Sequence, residues 1–280
     1  MRRYIWGERD GIHIIDLLQT EQLLAQAREF ATGIATQGGQ ILFVGTKKQA
    51  QDTVKEWADR CEMPYVNQRW LGGLLTNYHT ISKRIDRLHE LTELKDDGRL
   101  ELLPTKERMG MLSELEKLEY NLGGVRDMKK LPQAVVMIDL KTEEIALREA
   151  ERLRIPIIGL VDSNVDPGPV KFPVPGNDDA IRSCNLFVGA IGEAVEGAAA
   201  NWREAEAKRR AEEEERKRQE DERKRKEAEE KAAREAEAKA KVEAAEAEAK
   251  QAQVAKNEAS AKAPKPPAPE KAGAGGEKPK

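Results

Sequence analysis

The stretch at residues 132–167, PQAVVMIDLKTEEIALREAERLRIPIIGLVDSNVDP, decides the fold class of this chain. It holds two short apolar runs, Ala134 to Asp139 and Ile157 to Asp162, on either side of a helical pattern whose predicted N-cap is Thr142. A strand, a helix and a strand in this order are typical of neighbouring strands in a parallel sheet. Continuous apolar runs also indicate strands that are covered on both faces.

The same alternation extends through most of the first 200 residues. Further strands are predicted at Ile41 to Gly45, Pro64 to Asn67 and Phe172 to Val174. Helices are predicted after an N-cap at Thr20, across KQAQDTVKEWADRC, and from Asn177, Asp178 and Asp179 to about Trp202. This pattern predicts an α/β fold, a three-layer doubly wound parallel sheet.

One interval is too long for a simple crossover. Some sixty residues separate the second predicted strand from the third. Within them, apolar residues recur at three- and four-residue steps in two runs (Ile81, Ile85, Leu88, Leu91; Leu112, Leu115, Leu118, Leu122). Two such seams predict an inserted antiparallel coiled-coil hairpin at residues 76–125. The charges on its outer faces read as a solvated surface.

The end of the chain has a different composition. Residues 203–280 consist mostly of Ala, Glu, Lys and Arg, with Glu–Lys pairs four residues apart and no apolar seam. We expect a charged helical to disordered tail there, with disorder past about Ser260. The α/β domain would then be discontinuous, comprising residues 1–75 and 126–202. A tail that tethers RNA is the alternative, which the near-balanced charge disfavours.

Charge and cysteine content narrow the function classes. Residues 1–200 carry 26 Lys and Arg against 31 Asp and Glu, and residues 201–280 carry 22 against 20, so the net charge is −5 + 2 = −3. Neither part is basic, so any nucleic-acid contact must come from local clusters. Cys61 and Cys184 lack metal-ligand spacing and read as reduced helix residues. No signal peptide or membrane span is expected, which predicts a cytoplasmic protein.

The stretch at residues 65–77, YVNQRWLGGLLTN, suggests a nucleic-acid surface. It carries Arg69 and Trp70 side by side on a Gly-Gly turn. An arginine binds phosphate by charge-assisted hydrogen bonds, and a tryptophan stacks on a base or ribose. The alternative is that Trp70 packs at the base of the hairpin and Arg69 is a solvated rim charge.

Further basic residues are candidates for the same contact. Lys47 and Lys48 follow the first predicted strand in the sequence Gly45-Thr46-Lys47-Lys48, at the edge where doubly wound sheets bind ligands. This is neither of the common nucleotide-binding glycine motifs, so a backbone phosphate of RNA is the better fit. Two more doublets, Arg2 with Arg3 and Lys129 with Lys130, complete the predicted RNA-binding set.

An enzymatic reading rests on carboxylates at the strand ends. Asp139 and Asp162 end two predicted strands, and clustered carboxylates can hold Mg²⁺ for phosphoryl chemistry. Against this reading, the three histidines lie in unrelated segments and no nucleophile has a base beside it. We therefore expect no catalytic residue, no metal and no cofactor, with a Mg²⁺-dependent phosphate-transfer or hydrolysis enzyme as the alternative.

Five segments resemble the bacterial small-subunit ribosomal protein S-two family. They are RRYIWGERDGIHIIDL, FVGTKKQA, QRWLGGLLTN, the block from Pro132 to Pro156, and VDSNVDP with PGNDDAIRS, in the same order as in the family. Relatives usually carry a few dozen residues before the point at which Met1 stands, so the resemblance predicts a longer N-terminus. The charged tail is larger than the family minimum.

The resemblance implies a function and a set of partners. It implies a flavodoxin-like α/β domain with an inserted hairpin and no enzymatic activity. It also implies a structural constituent of the small ribosomal subunit that binds small-subunit ribosomal RNA near the head-body junction and supports translation in the cytoplasm. Neighbouring small-subunit proteins, including the S-one protein, are the implied protein partners, whereas a membrane or DNA is not.

Overall fold

The computed structural model describes the backbone of residues 1–261 and the side chains of residues 1–226. The chain forms two units, Met1–Arg209 and Arg210–Lys280. The expected division into a discontinuous domain, a hairpin and a tail from residue 203 stays a prediction. The disorder predicted past Ser260 falls almost wholly outside the described residues.

Seven strands and six helices make up the described part of the chain. The strands are β1 (Ile5–Arg9), β2 (Ile12–Ile15), β3 (Ile41–Val44), β4 (Tyr65–Val66), β5 (Ala134–Ile138), β6 (Ile157–Val161) and β7 (Phe172–Pro175). The helices are α1 (Leu17–Thr36), α2 (Lys48–Cys61), α3 (Tyr78–Asp96), α4 (Thr105–Leu122), α5 (Glu144–Arg152) and α6 (Ile181–Ala261).

The central sheet has five parallel strands in the order β4-β3-β5-β6-β7. Every residue of β3, β5 and β6 is buried, as their continuous apolar sequences require. The order reverses between β3 and β5, which is the strand arrangement of flavodoxin-like doubly wound folds. The five predicted strands and the predicted fold class are therefore confirmed.

Side chains alternate between two apolar layers along each buried strand. Leu42 and Val44 of β3 pack with the hairpin, the turn that precedes it and α5. Ile41 and Phe43 pack with α1, α2 and the first part of α6. The sheet is thus covered on both faces, which gives the three-layer arrangement expected from the sequence.

Two of the predicted helix caps are wrong. Asp16 caps α1, and its Oδ1 accepts the N–H groups of Leu18 at 3.0 Å and Gln19 at 3.5 Å. Thr20 lies inside the first turn instead, and its hydroxyl donates to the Pro175 carbonyl at 2.8 Å. The hydroxyl of Thr142 donates to Asp139 at 2.8 Å and closes the turn before α5, which begins two residues later.

The inserted segment forms the predicted helical hairpin from α3 and α4. Ile81, Ile85, Leu88 and Leu91 of α3 are buried, as are Leu115 and Leu122 of α4, whereas Leu112 and Leu118 are half-buried. The charged faces are not wholly solvated. The Arg87 guanidinium lies 2.8 Å from Glu90 on its own helix and 3.3 Å from Glu114 on the other.

An N-terminal β-hairpin was not anticipated. β1 and β2 pair antiparallel through a two-residue turn at Asp10 and Gly11, where both residues have positive φ, +52° and +78°. Asp-Gly is a strong sequence signal for this turn. The polar residues that interrupt the apolar ones in this segment obscured the strand pattern.

The last helix is longer than expected. It does not end near Trp202 but continues to Ala261. Within the second unit, ion pairs four residues apart join Lys217 to Glu213, Lys224 to Glu220 and Lys226 to Glu222 at 2.8–3.0 Å. Oppositely charged side chains at this spacing favour the helical conformation. None of the helices in the described residues combines the length and apolarity that a bilayer span requires.

Candidate nucleic-acid interface

The carboxyl edge of the sheet at the β3–β5 switch point is where this fold forms ligand sites. In this protein the side chain of Lys47 occupies that edge of the sheet. The Lys47 ammonium lies 2.6 Å from Asp179, 2.8 Å from Asp178 and 3.2 Å from Asp139. The Lys47 side chain is 20% exposed, and those of Asp139 and Asp178 are 7% and 1% exposed. Lys47 is therefore an internal cation shared by three carboxylates.

The charges of this cluster shift the pKa values of its members. Burial favours the neutral amine of Lys47, but the hydrogen bonds to Asp178, Asp179 and Asp139 outweigh it and raise the lysine pKa. Burial, together with the nearby charges of Asp139 and Asp162, raises the pKa of Asp178 above its usual value despite Lys47. Burial acts on Asp139 as well, yet the bonds from Thr142 and Lys47 leave its pKa lowered.

The same region holds three carboxylates that could ligate a metal ion. One carboxylate oxygen each from Asp162, Asp178 and Asp179 lies within 4.8 Å of the others. Asp139, which was expected to join Asp162, instead bonds Lys47 and Thr142. Oxygen ligands of this kind suit hard divalent cations. The Lys47 ammonium already supplies one positive charge at this site.

The loop after β3 has an internal acceptor of its own. The Thr46 N–H donates at 2.9 Å to Glu143 Oε1, and Glu143 is only 2% exposed. Burial raises the pKa of Glu143 more than the bond from Thr46 lowers it. The Thr46 N–H, which lies in the segment where an RNA phosphate was expected to bind, is therefore already bonded to a carboxylate.

A second buried carboxylate organises the turn after β4. Glu149 Oε1 accepts from the Trp70 indole at 3.1 Å and the Gly73 N–H at 2.7 Å. Glu149 Oε2 accepts from the N–H groups of Leu75 and Thr76, both at 3.0 Å, and from the Thr76 hydroxyl at 3.1 Å. Burial alone would raise the pKa of Glu149, but these bonds together lower it.

These contacts give Trp70 and Lys47 internal roles. Trp70 is 7% exposed and packs with the apolar layer at the base of the hairpin. In this conformation its ring is covered by protein, so the geometry does not support the expectation that it stacks on RNA. The geometry likewise does not support the expectation that Lys47 faces RNA, because its ammonium is paired with three aspartates. Burial is the physical reason for Trp70, and pairing with three carboxylates is the reason for Lys47.

The other candidates are exposed but do not all lie together. Lys48 is exposed at the start of α2, which follows β3, and Arg69 is exposed on the loop that follows the paired strand β4. A bond from Asn67 to the Gln51 carbonyl at 3.3 Å joins the two segments. Arg2 and Arg3 are exposed in a 3-10 turn, where the Arg3 carbonyl accepts from Gln19 of α1 at 3.3 Å.

The last basic doublet, Lys129 with Lys130, lies on a different segment of the fold. Lys129 and Lys130 are exposed on the segment that leads into the amino end of β5. The Asn67–Gln51 bond therefore joins the segments that carry Lys48 and Arg69, while the Arg2–Arg3 and Lys129–Lys130 doublets lie on separate segments.

Sequence reasoning missed the buried acids Glu143, Glu149 and Asp178 as organising residues. A signal existed for Glu149, because it falls on the apolar face of α5 beside Ala146 and Ala150. A lone carboxylate at such a position requires hydrogen-bond donors around it, because burying a charge without partners costs roughly several kcal/mol. The positions of those donors could not be read from the chain.

A comparison with protein families finds a match to most of the first unit of the chain. The model of the family described as Ribosomal protein S2 matches residues 1–198. The match includes β1 to β7, the hairpin, the lysine cluster and the turn held by Glu149, and it stops shortly before the charged part of α6. Because it covers well over half of the 280 residues, this chain belongs to the ribosomal protein S2 family, a family of structural proteins of the small ribosomal subunit.

Proposed function

We propose that the globular body binds small-subunit ribosomal RNA through exposed basic side chains, with Lys48 and Arg69 as the central pair. The observation that carries this proposal is their position. Both residues are exposed and follow paired neighbouring strands at the ligand-binding edge of the sheet. Two cations on adjacent loops can contact successive phosphates of an RNA backbone.

Arg2, Arg3, Lys129 and Lys130 extend the proposed contact to other parts of the body. Each is exposed. The overall charge of −3 means that such local clusters, rather than a general field, must provide the attraction. Lys47 and Trp70 support the contact indirectly, because the aspartate cluster and Glu149 hold them inside the loops that present Lys48 and Arg69.

We further propose that the protein works on cytoplasmic ribosomes near the head-body junction of the small subunit, beside the S-one protein. Family membership supports this placement. The Lys47 ammonium between Asp139, Asp178 and Asp179 also favours a structural role for the cluster over phosphoryl chemistry.

Cross-linking of purified small subunits tests this proposal. Ultraviolet irradiation and mass spectrometry should yield nucleotide adducts on peptides that contain Lys48 or Arg69. A chemical cross-linker should join the same protein to the S-one protein. Adducts found only on other peptides, with none on those that contain Lys48 or Arg69, would overturn the assignment of these two residues.

The salt dependence of RNA binding gives an independent check. Lys48→Ala should reduce the slope of log K against log salt by roughly one phosphate contact. Replacing Lys47 and Lys48 together should reduce it by about one contact rather than two, because Lys47 is already paired inside the protein. An unchanged slope in the Lys48 variant would show that this lysine is merely solvated.

A further inference from the structure

The turn at residues 69–76 is fixed by one carboxylate that lies far away in sequence. The two carboxylate oxygens of Glu149 accept hydrogen bonds from different parts of this turn. One holds the Trp70 indole and the Gly73 N–H, and the other holds Leu75 and Thr76. The five donors are all neutral, so no cation compensates the charge of the carboxylate and the hydrogen bonds alone must stabilise it.

A glutamate at this position is not explained by packing alone. Glu149 lies between Ala146 and Ala150 on the buried face of α5, where an apolar side chain would avoid the cost of desolvating a carboxylate. Both oxygens of a carboxylate are acceptors, so this side chain suits a site on which five donors converge. A glutamine would turn its NH₂ group toward N–H donors and leave at least two of them without an acceptor.

The consequence of this arrangement falls on the residue before Trp70. With the indole drawn inward and bonded to Glu149, Arg69 is the exposed neighbour at the start of the turn. The direction of the Arg69 side chain thus depends on a turn that Glu149 fixes through the Trp70 indole and through the backbone N–H groups of Gly73, Leu75 and Thr76. An arginine on a fixed backbone loses less conformational freedom when it binds a phosphate.

We propose that Glu149 is a positioning residue for RNA binding, which holds this turn so that Arg69 is presented at the carboxyl edge of the sheet. This inference rests on the proposed function, because it presumes that Arg69 contacts RNA. Glu149 itself is buried and acts on RNA only through the turn.

A double-mutant cycle on small-subunit ribosomal RNA transcribed in vitro tests the inference. Arg69→Ala should weaken binding of the full-length protein about tenfold, the effect of losing one charge-assisted contact. Glu149→Gln should weaken it to a similar extent. The variant with both changes should bind no more weakly than Arg69→Ala alone, because the two residues act through one contact.

Controls separate positioning from a general loss of stability. Glu151→Gln makes the same charge change at an exposed position of the same helix and should leave binding unchanged. Val195→Ala removes buried methyl groups on the other face of the sheet and should lower the melting temperature without weakening RNA binding. If Glu149→Gln does not fold, Trp70→Phe removes one of the five donors and keeps most of the ring.

The possible outcomes are distinguishable. If the parent protein does not bind the transcript, the proposed function fails and the inference fails with it. If the parent binds and the effects of Glu149→Gln and Arg69→Ala multiply in the double variant, Glu149 does not act through Arg69 and only the inference is overturned. The same conclusion follows if Val195→Ala weakens binding as much as Glu149→Gln does.

Discussion

Replacing Lys47 with methionine should destabilise the body strongly at neutral pH. The substitution keeps the aliphatic stem but removes the ammonium from its three carboxylates at 2.6–3.2 Å. Asp178, which is 1% exposed, loses the partner of Oδ1, and its Oδ2 already lacks a hydrogen-bond partner among the described residues. The variant therefore buries an uncompensated charge.

The magnitude follows from the burial of the partners. Removing one member of a buried ion pair typically costs about 3–5 kcal/mol. The Lys47 side chain is 20% exposed and Asp179 is 73% exposed, so we take the lower end, about 3 kcal/mol. For a folded body of this size that loss corresponds to a decrease in melting temperature of roughly 6–12 °C.

The pH dependence of the loss identifies its cause. The raised pKa of Lys47 means that its contribution is fully present below the usual lysine value of 10.5 and is lost only above it. Asp178 has a raised pKa even beside Lys47, and removing the ammonium raises it further. Protonation of Asp178 then relieves the buried charge, so the difference between variant and parent should shrink as the pH falls from neutral toward 3.8, the usual aspartate value.

Urea unfolding at pH 7.5 and pH 5.0 measures both quantities. Lys48→Met is the matched control, since Lys48 is exposed and its loss should change the free energy of unfolding by no more than about 0.5 kcal/mol. If the two variants are equally stable at pH 7.5, Lys47 is not an internal cation. A loss that stays constant between the two pH values would refute the argument from Asp178.

Three further predictions concern other parts of the molecule. Burial raises the pKa of Cys61 to about 12, so iodoacetamide at pH 8 should alkylate this thiol far more slowly in the folded protein than in urea; equal rates would contradict its burial. Gly124→Ala would place a Cβ 2.3 Å from the Tyr65 carbonyl oxygen and should cost about 1–3 kcal/mol in urea unfolding, whereas Gly72→Ala, with open space around it, serves as the control. Ending the chain at Arg209 should leave the melting temperature and ribosome incorporation unchanged within error, because the residues beyond Arg209 carry balanced charge and no apolar seam. Poorer incorporation of the shortened protein in competition with the full chain would indicate that the tail anchors the protein.

The parts of the fold that were predictable are those encoded by local pattern. The apolar runs that became β3, β5 and β6 mark strands because each is short, apolar and flanked on at least one side by a helical pattern. The helical hairpin was predictable from its apolar residues at three- and four-residue steps, which in α3 are Ile81, Ile85, Leu88 and Leu91. The N-terminal β-hairpin was also within reach, since Asp10-Gly11 is a turn signal that carries its own mechanism.

The roles of Trp70 and Lys47 were not predictable in the same way. Trp70 finds its acceptor 79 residues later in the chain, and Lys47 finds Asp178 131 residues later. An Arg-Trp pair on a loop and a lysine doublet after a strand look alike whether their side chains face RNA or the protein interior. Only the tertiary arrangement decides, because burial and pairing of these groups depend on which loops meet at the edge of the sheet.

This chain belongs to a family of structural proteins of the small ribosomal subunit, and we propose that it binds the RNA of that subunit. The most direct measurement is a sucrose gradient of a cell lysate in which the protein is quantified by mass spectrometry across the fractions. We expect it to cosediment with the small subunit and with intact ribosomes, in constant ratio to other small-subunit proteins. Recovery of the protein only in the free-protein fractions would contradict the claim.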